Sequence, residues 1–496
     1  MKHRTLPHTE PLALLTDFYE LTMAYGYWKN GVHEQEAVFE LSFRENPFKG
    51  GFAIACGLGY VIDFLEHFRF DPTDIDYLAS LKGKGATPLF EKKFLTELSR
   101  MKFQWDIDAV PEGTVVFAHE PLMRIRGPVL QCQLLETALL NMINFQTLIA
   151  TKAARVTMAA CGESVIEFGL RRAQGIDGAL AASRAAYIGG CDCTSNVLAG
   201  KMFGIPVKGT HAHSWVMFFD TELEAFKAYA KAWPDHSVFL VDTYDTIQGV
   251  RNAVEVGKWL KREGHEMLGI RIDSGDLGDL SLRARKILDE EGFPEAKIIG
   301  SNELDETAIL NLKNQGAKIV TWGVGTKLVT AYDQPALGGI YKLTAVKTPS
   351  GEWKYKMKLS DDPLKISSPG IRQVRRFFNE KENLADMIYD VGTPLSGDAI
   401  LVGLGKASNR LIMKKSQAFT DLLVPVFKKG KKVYDSPGIH EIRKSVQAGL
   451  GKFSPGVRRL QNPSVYPVGL EQSLYERKQE MIRQLKSLIR KGEGHV

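Results

Sequence analysis

A chain of 496 residues is long enough for two or three domains around a large core, and its composition is that of an ordinary globular protein. The net charge of +6 is mild, and Lys and Arg are dispersed apart from the short run FKKGKKVY, which argues against a nucleic-acid partner. Five cysteines at irregular spacing make no disulfide framework, no run reaches transmembrane length, and MKHRTLPHTEPLALL lacks the apolar core of a signal peptide; the expectation is a cytoplasmic chain with no membrane partner.

In chain order, EAVFELSF alternates like a half-buried strand, FAIACG reads as a short buried one, and LGYVIDFLEHF has helical periodicity. TVVFAHE and PLMRIRGPV read as strands split by a turn. A long helix is predicted over about 134–160. From there short β-branched runs alternate with helical segments. The runs are SVIEFGLR, IPVKGTHAH, SVFLVDTYD, MLGIRIDSGD, AKIIGSNELD and AKIVTWGVGT, and three of the helices between them stop at Gly. That rhythm predicts parallel βαβ units with buried strands. Every run ends in polar or glycine-rich residues, which favours a β/α-barrel mouth over the crevice of a doubly wound sheet. After Ala331 the pattern changes. GGIYKLTAVKTPSGEWKYKMKLS reads as a hairpin turning at SG, and IRQVRRFF adds a strand; this antiparallel piece is expected to return to the N-terminal strands. The tail EQSLYERKQEMIRQLKSLIRK is an amphipathic helix, with Leu474, Met481, Ile482, Leu485, Leu488 and Ile489 on one face.

The strand tips carry the chemistry. WGVGT, Trp322–Thr326, reads as a glycine-rich turn after a strand: Gly323 and Gly325 let backbone N–H groups approach an anion, and Thr326 adds a hydroxyl, unless this is an ordinary tight turn. In RIDSGD, strand alternation points Arg271 and Asp273 to one side. Arg271 suits a carboxylate or phosphate, Asp273 suits Mg²⁺ or a developing cation, and the bland alternative is a salt bridge between them. Asp276 and Asp242 are each site residue or helix cap. LRRAQG offers Arg171 and Arg172, of which one reaches a ligand. Ser301 and Asn302 suit sugar hydroxyls or cap the helix near Asp305. GTHAHSW places His211 and His213 two residues apart as exposed turn residues, a nucleophile or a proton carrier. CDC is half of a metal site at most, without a second ligand pair at the right spacing. Lys208 and Lys327, near tips, leave a Schiff-base lyase open.

The motifs LLTDFYELTMAYGYW, EFGLRRAQGIDGALAASRAAYIGG, SNVLAGKMFGIPVKGTHAHSWVMFF, RIDSGDLGDL, VGTKLVT with ALGGIYKL, and MKLS resemble those of bacterial nicotinate phosphoribosyltransferases, in order and over nearly the whole chain. The resemblance implies an α/β fold: an irregular TIM-like β/α-barrel at 131–340 joined to an α/β sandwich. That sandwich would comprise 1–130 and returning antiparallel strands at 341–415, followed by a helical and extended segment at 416–496. It implies a homodimer with shared active sites, and conversion of nicotinate and phosphoribosyl pyrophosphate to nicotinate mononucleotide, coupled to ATP and Mg²⁺. It assigns His213 as a transient phosphohistidine and Asp273 as catalytic. It assigns Tyr19 to the nicotinate ring, and Gly169, Arg171, Thr210, Arg271, Ser301, Asn302, Gly323, Gly325 and Thr326 to substrate. Asp242 falls to Mg²⁺ or ribose, with Asp273 a second candidate. The nearest rivals are a nicotinamide-specific relative and a non-catalytic phosphosugar-binding protein. His211 receives no role.

Overall fold

The computed structural model describes residues 11–360, 366–395, 397–404 and 409–490. The chain divides into two compact units: Ile149–Pro335, and the described parts of Lys2–Leu148 with Ala336–Val496.

The smaller unit is a parallel α/β assembly. Its six strands are Ser164–Glu167, Cys193–Thr194, Val238–Leu240, Gly269–Ile272, Lys297–Ser301 and Thr321–Val324. Numbered first to sixth along the chain, they lie in the order second, first, sixth, fifth, fourth, third, and every pairing is parallel. That order is the cyclic order of a barrel, with one seam unpaired between the second and third strands. A doubly wound sheet would instead reverse direction in its middle. The predicted strand IPVKGTHAH is corrected here. Only Val207 joins the sheet, as an isolated parallel bridge to Thr194, because Gly204 and Pro206 break the run, and Cys193–Thr194 supplies the missing strand.

Helices Thr246–Arg262, Leu277–Glu290 and Glu306–Asn314 connect the later strands. Each begins on a capping aspartate, Asp245, Asp276 and Asp305, whose side chain accepts from backbone N–H groups of the first turn. Asp276 is therefore a cap, as one reading of it held, whereas Asp242 is not. Gly264, Gly292 and Gly316, all at positive φ, end these helices and turn the chain into the next strand.

The larger unit is mainly antiparallel. A seven-stranded sheet pairs Glu36–Phe43 with Gly339–Lys347 on one side and Met123–Pro128 on the other, so the hairpin strand returns to the N-terminal strand as expected. The run IRQVRRFF departs from that expectation. Strand Arg372–Phe378 joins a second, six-stranded sheet beside Asn383–Asp390, where buried Arg376 pairs with Asp386 of the neighbouring strand, while buried Arg372 reaches back to Glu40 of the first sheet. In the terminal helix Gln472–Arg490, Leu474 is buried, but Ile489 is exposed and does not extend the apolar face. Among the described residues, no helix is long and apolar enough to cross a membrane.

Candidate active site

At the carboxyl ends of the parallel strands, polar side chains converge. The first strand delivers Glu167, which is buried and accepts from Ser183 Oγ at 2.8 Å, from Thr194 Oγ1 at 2.5 Å and from the Gly169 N–H. This carboxylate fixes the loop that carries Arg171. Gly169 is there because a Cβ would meet Val329 Cγ1 at 2.2 Å. Arg171 itself is exposed and bears no ion pair among the described residues. Next to Gly169, the half-buried Phe168 ring lies under the Arg271 guanidinium, 5.9 Å from its centroid.

Arg271 and Asp273 do share a side, at 4.0 Å, but not as a tight salt bridge. Arg271 Nη1 donates to Thr210 Oγ1 at 2.7 Å, and its Nε is buried without a partner. Burial pulls this guanidinium below its usual range, Asp273 and Asp242 oppose that, and Arg171 adds to it. A bound anion would relieve the strain. Asp242 Oδ2 accepts from the Asp273 N–H at 2.9 Å and from Ser274 Oγ at 2.5 Å, while its Oδ1 is buried and unpartnered. Asp273 Oδ1 accepts from Ser301 Oγ, so the Ser301 hydroxyl is committed to this carboxylate. Asn302 stands exposed at φ +123, a strained backbone of the kind found at ligand sites.

His213 opens the short helix His213–Met217. Its Nδ1 lies 3.1 Å from Thr243 Oγ1 and its Nε2 lies 4.0 Å from Asp273 Oδ2. His211 is the opposite of an exposed turn residue: it is buried, and its Nε2 accepts the Leu240 N–H at 3.2 Å. The reading of WGVGT as one glycine turn is corrected. Gly323 belongs to the sixth strand, where a Cβ would meet the Phe168 ring at 2.7 Å, and the turn starts only at Gly325, ahead of Thr326. Lys327 does not suit a Schiff base, since its ammonium pairs with Asp305 at 2.9 Å and is held above its usual range by that contact. The CDC thiols Cys191 and Cys193 are buried; among the described residues the one grouping of three potential ligands is His33, Glu34 and Glu97 in the larger unit.

Tyr19 belongs to the larger unit, half-exposed on helix Phe18–Lys29. Burial, then Glu136 and Glu20, push its phenol up to about 12. The same unit holds a cleft that the sequence did not announce, lined by Arg44, His119, Lys342, Arg372 and Lys478. Arg372 is neutralised by Glu40, but Arg44 Nε is buried without a partner. His119 is pushed down to about 4 by burial and then by Lys478, Arg372 and Arg44. Burial, then Arg372, pulls Lys478 down to about 8.

Strand ends that hold unpaired arginine, two linked carboxylates and a partnered imidazole define an α/β enzyme acting on an anionic substrate. Comparison with known proteins narrows the class. Residues 14–144 match the nicotinate phosphoribosyltransferase N-terminal domain, 164–378 the nicotinate phosphoribosyltransferase family, and 371–478 its C-terminal domain. The chain is 43% identical to nicotinate phosphoribosyltransferase of Bacillus subtilis, over 97% of both chains. The crystal structure of the human nicotinic acid phosphoribosyltransferase aligns at TM-score 0.81 and 32% identity, covering 94% of this chain and 99% of that one. Nicotinate-nucleotide pyrophosphorylase from Pyrococcus furiosus, at TM-score 0.67 and 22% identity over 91% of this chain and 99% of that one, shares the fold. The chain belongs to the nicotinate phosphoribosyltransferase family.

Proposed function

We propose that this enzyme joins nicotinate to the ribosyl group of phosphoribosyl pyrophosphate, in the salvage of nicotinate toward NAD, and couples the step to ATP through His213. The observation that carries the reading is the His213 dyad set between Thr243 and Asp273, opposite Arg271. With the Nδ1 proton donated to Thr243, Nε2 keeps its lone pair and attacks the γ-phosphorus of ATP. The P–O bond to ADP breaks, and Asp273 balances the positive charge on the ring. Water later cleaves the N–P bond and releases phosphate.

In the transfer itself, the C1′–O bond to pyrophosphate breaks and the nicotinate ring nitrogen takes its place. Charge builds on the ribose, and the carboxylates of Asp273 and Asp242 stabilise it. Arg271 and Arg171 bind the nicotinate carboxylate or a phosphate. Phe168 offers a ring face to the pyridine. On this reading Asn302, Gly325 and Thr326 hold the ribose phosphate, and Ser301 acts through Asp273. Mg²⁺ fits the residues present, since Asp242 Oδ1 is buried and unpartnered and the donors are all oxygen. Asp242 and Asp273 would hold it, and when bound it neutralises charge on pyrophosphate.

A homodimer belongs to this reading, and exposed apolar side chains support it: Ile176, Val197 and Tyr244 in the loops and helices after strand ends, with Met217 and Phe218 at the end of the helix that His213 opens, Phe218 exposed by 82%. A rim of this kind is an interface in waiting. Five free thiols suit a cytoplasmic location.

The test is turnover of nicotinate and nicotinamide side by side, with phosphoribosyl pyrophosphate and Mg²⁺, with and without ATP. Nicotinate mononucleotide formed preferentially, and faster with ATP, is the expected result. Preference for nicotinamide, or no mononucleotide, contradicts the reading.

A further inference from the structure

We infer that His211 is a positioning residue: its imidazole closes the unpaired seam of the strand fan and so aims Thr210 and His213 into the mouth. The inference rests on the role proposed for His213.

Around the fan each strand is laddered to the next, except at one place. The segment Pro206–Lys208 pairs with Thr194 on the second strand, through Thr194 N–H to Pro206 O at 3.0 Å and Lys208 N–H to Thr194 O at 3.0 Å. The third strand, Val238–Leu240, is the opposite edge of the fan. There the Val241 N–H turns toward Arg271 O, at 3.1 Å, and the Leu240 N–H turns the opposite way, into the seam. A neighbouring strand would meet that N–H with a carbonyl. Here His211 Nε2 meets it, at 3.2 Å. An imidazole nitrogen that accepts from an amide carries a lone pair, so the ring proton sits on Nδ1.

The side chain is also the loop's anchor. Between Ile205 and Val216, His211 is the one buried residue. Its ring lies edge-on to Tyr229, with centroids 4.8 Å apart, and 6.0 Å from Phe226. Both flanking site residues depend on this point. Thr210 Oγ1 receives Arg271, and His213 meets Thr243, which follows Leu240 by three residues. The imidazole thus ties the loop bearing the nucleophile to the strand bearing the nucleophile's partner. Burial holds His211 neutral, pushed down to about 4, so the acceptor persists at neutral pH.

Two variants separate the acceptor from the anchor. His211→Phe keeps a ring against Tyr229 but leaves the Leu240 N–H unsatisfied; His211→Gln places an amide oxygen near the position of Nε2. For both, kcat and KM for nicotinate are measured, together with transfer of label from γ-labelled ATP to His213 and the melting temperature. His211→Phe is expected to lower kcat and the labelling rate by roughly tenfold to a hundredfold, with KM within about twofold, because a displaced reactive group costs rate more than binding. His211→Gln is expected to recover most of that loss. Equal losses in the two variants would show a purely structural role, and unchanged kcat in His211→Phe would show none; either overturns the inference. Should wild type take no label at all, the ATP-coupled reading falls, while kcat and KM still decide the role of His211.

Discussion

The sheets of the larger unit and the strand tips of the parallel unit treat charge in opposite ways. In the sheets, buried ions are matched, Arg372 with Glu40 at 2.5 Å and Arg376 with Asp386 at 2.5 Å, and the half-buried Arg375 pairs with Asp421 at 2.8 Å. In the parallel unit the strand tips leave charge unfinished. Arg271 Nε and Asp242 Oδ1 are buried without partners, and Arg271 and Asp273 stop 4.0 Å apart. Matched charge within a sheet or across two specifies which strands lie together; unmatched charge at a mouth is held ready for a ligand. The cleft of Arg44, His119 and Lys478 departs from this matching within the larger unit, with Arg44 Nε buried and unpartnered.

The comparison is most exposed to failure where the matching is tightest. Glu40→Ala strands a buried Arg372 and is expected to cost about 3–5 kcal/mol in urea unfolding. A loss under about 1 kcal/mol would mean that these pairs do not hold the sheets. Acid comes next. His211 and His119 sit at about 4 in the folded chain against 6.5 when unfolded, so the unfolded state binds protons first as pH falls. Their stability contribution is complete above pH 6.5 and is lost progressively between about 6.5 and 4, worth about 3 kcal/mol for each group. Unfolding midpoints that are flat across that window in wild type, or unchanged in slope in His211→Phe, would break the assignment.

At the mouth the prediction reverses. Arg271→Gln removes an incompletely paired charge, so KM for the anionic substrate should rise roughly tenfold to a hundredfold while stability shifts by less than about 1 kcal/mol. A large stability loss with unchanged KM would make Arg271 architectural after all. A gentler change is Gly323→Ala, whose Cβ would meet the Phe168 ring at 2.7 Å. About 1 kcal/mol of overpacking is expected, and, if Phe168 faces the pyridine as proposed, a rise of a few-fold in KM for nicotinate with kcat little changed.

Much of the parallel unit was legible because its signals are local. β-branched runs, glycine stops and polar tips sit within a few residues of one another, and they placed Arg271, Asp273 and Asp242 at one mouth. The tips were less legible where a side chain serves two purposes. Ser301 read as a ligand hydroxyl or a cap, and its proton goes to Asp273. Gly323 read as part of a turn, yet it makes room for Phe168 inside a strand. Thr243 was in plain view in VDTYD, but a threonine beside an aspartate carries no mark of the histidine thirty residues away. Glu167, at the end of the run SVIEFGLR, drew no reading, because its partners Ser183 and Thr194 lie far along the chain. The cationic cleft was invisible for a stronger reason: Arg44, His119, Lys342, Arg372 and Lys478 come together only through the sheet pairings, and no window of sequence contains more than one of them.

The most direct measurement is to incubate the enzyme with γ-labelled ATP and Mg²⁺ and map acid-labile, base-stable label, with His213→Asn and His211→Gln alongside. Label on His213 in wild type and in His211→Gln, and none in His213→Asn, is the predicted result. No label in wild type, or label that survives in His213→Asn, would contradict the assignment of His213 as the phosphate carrier.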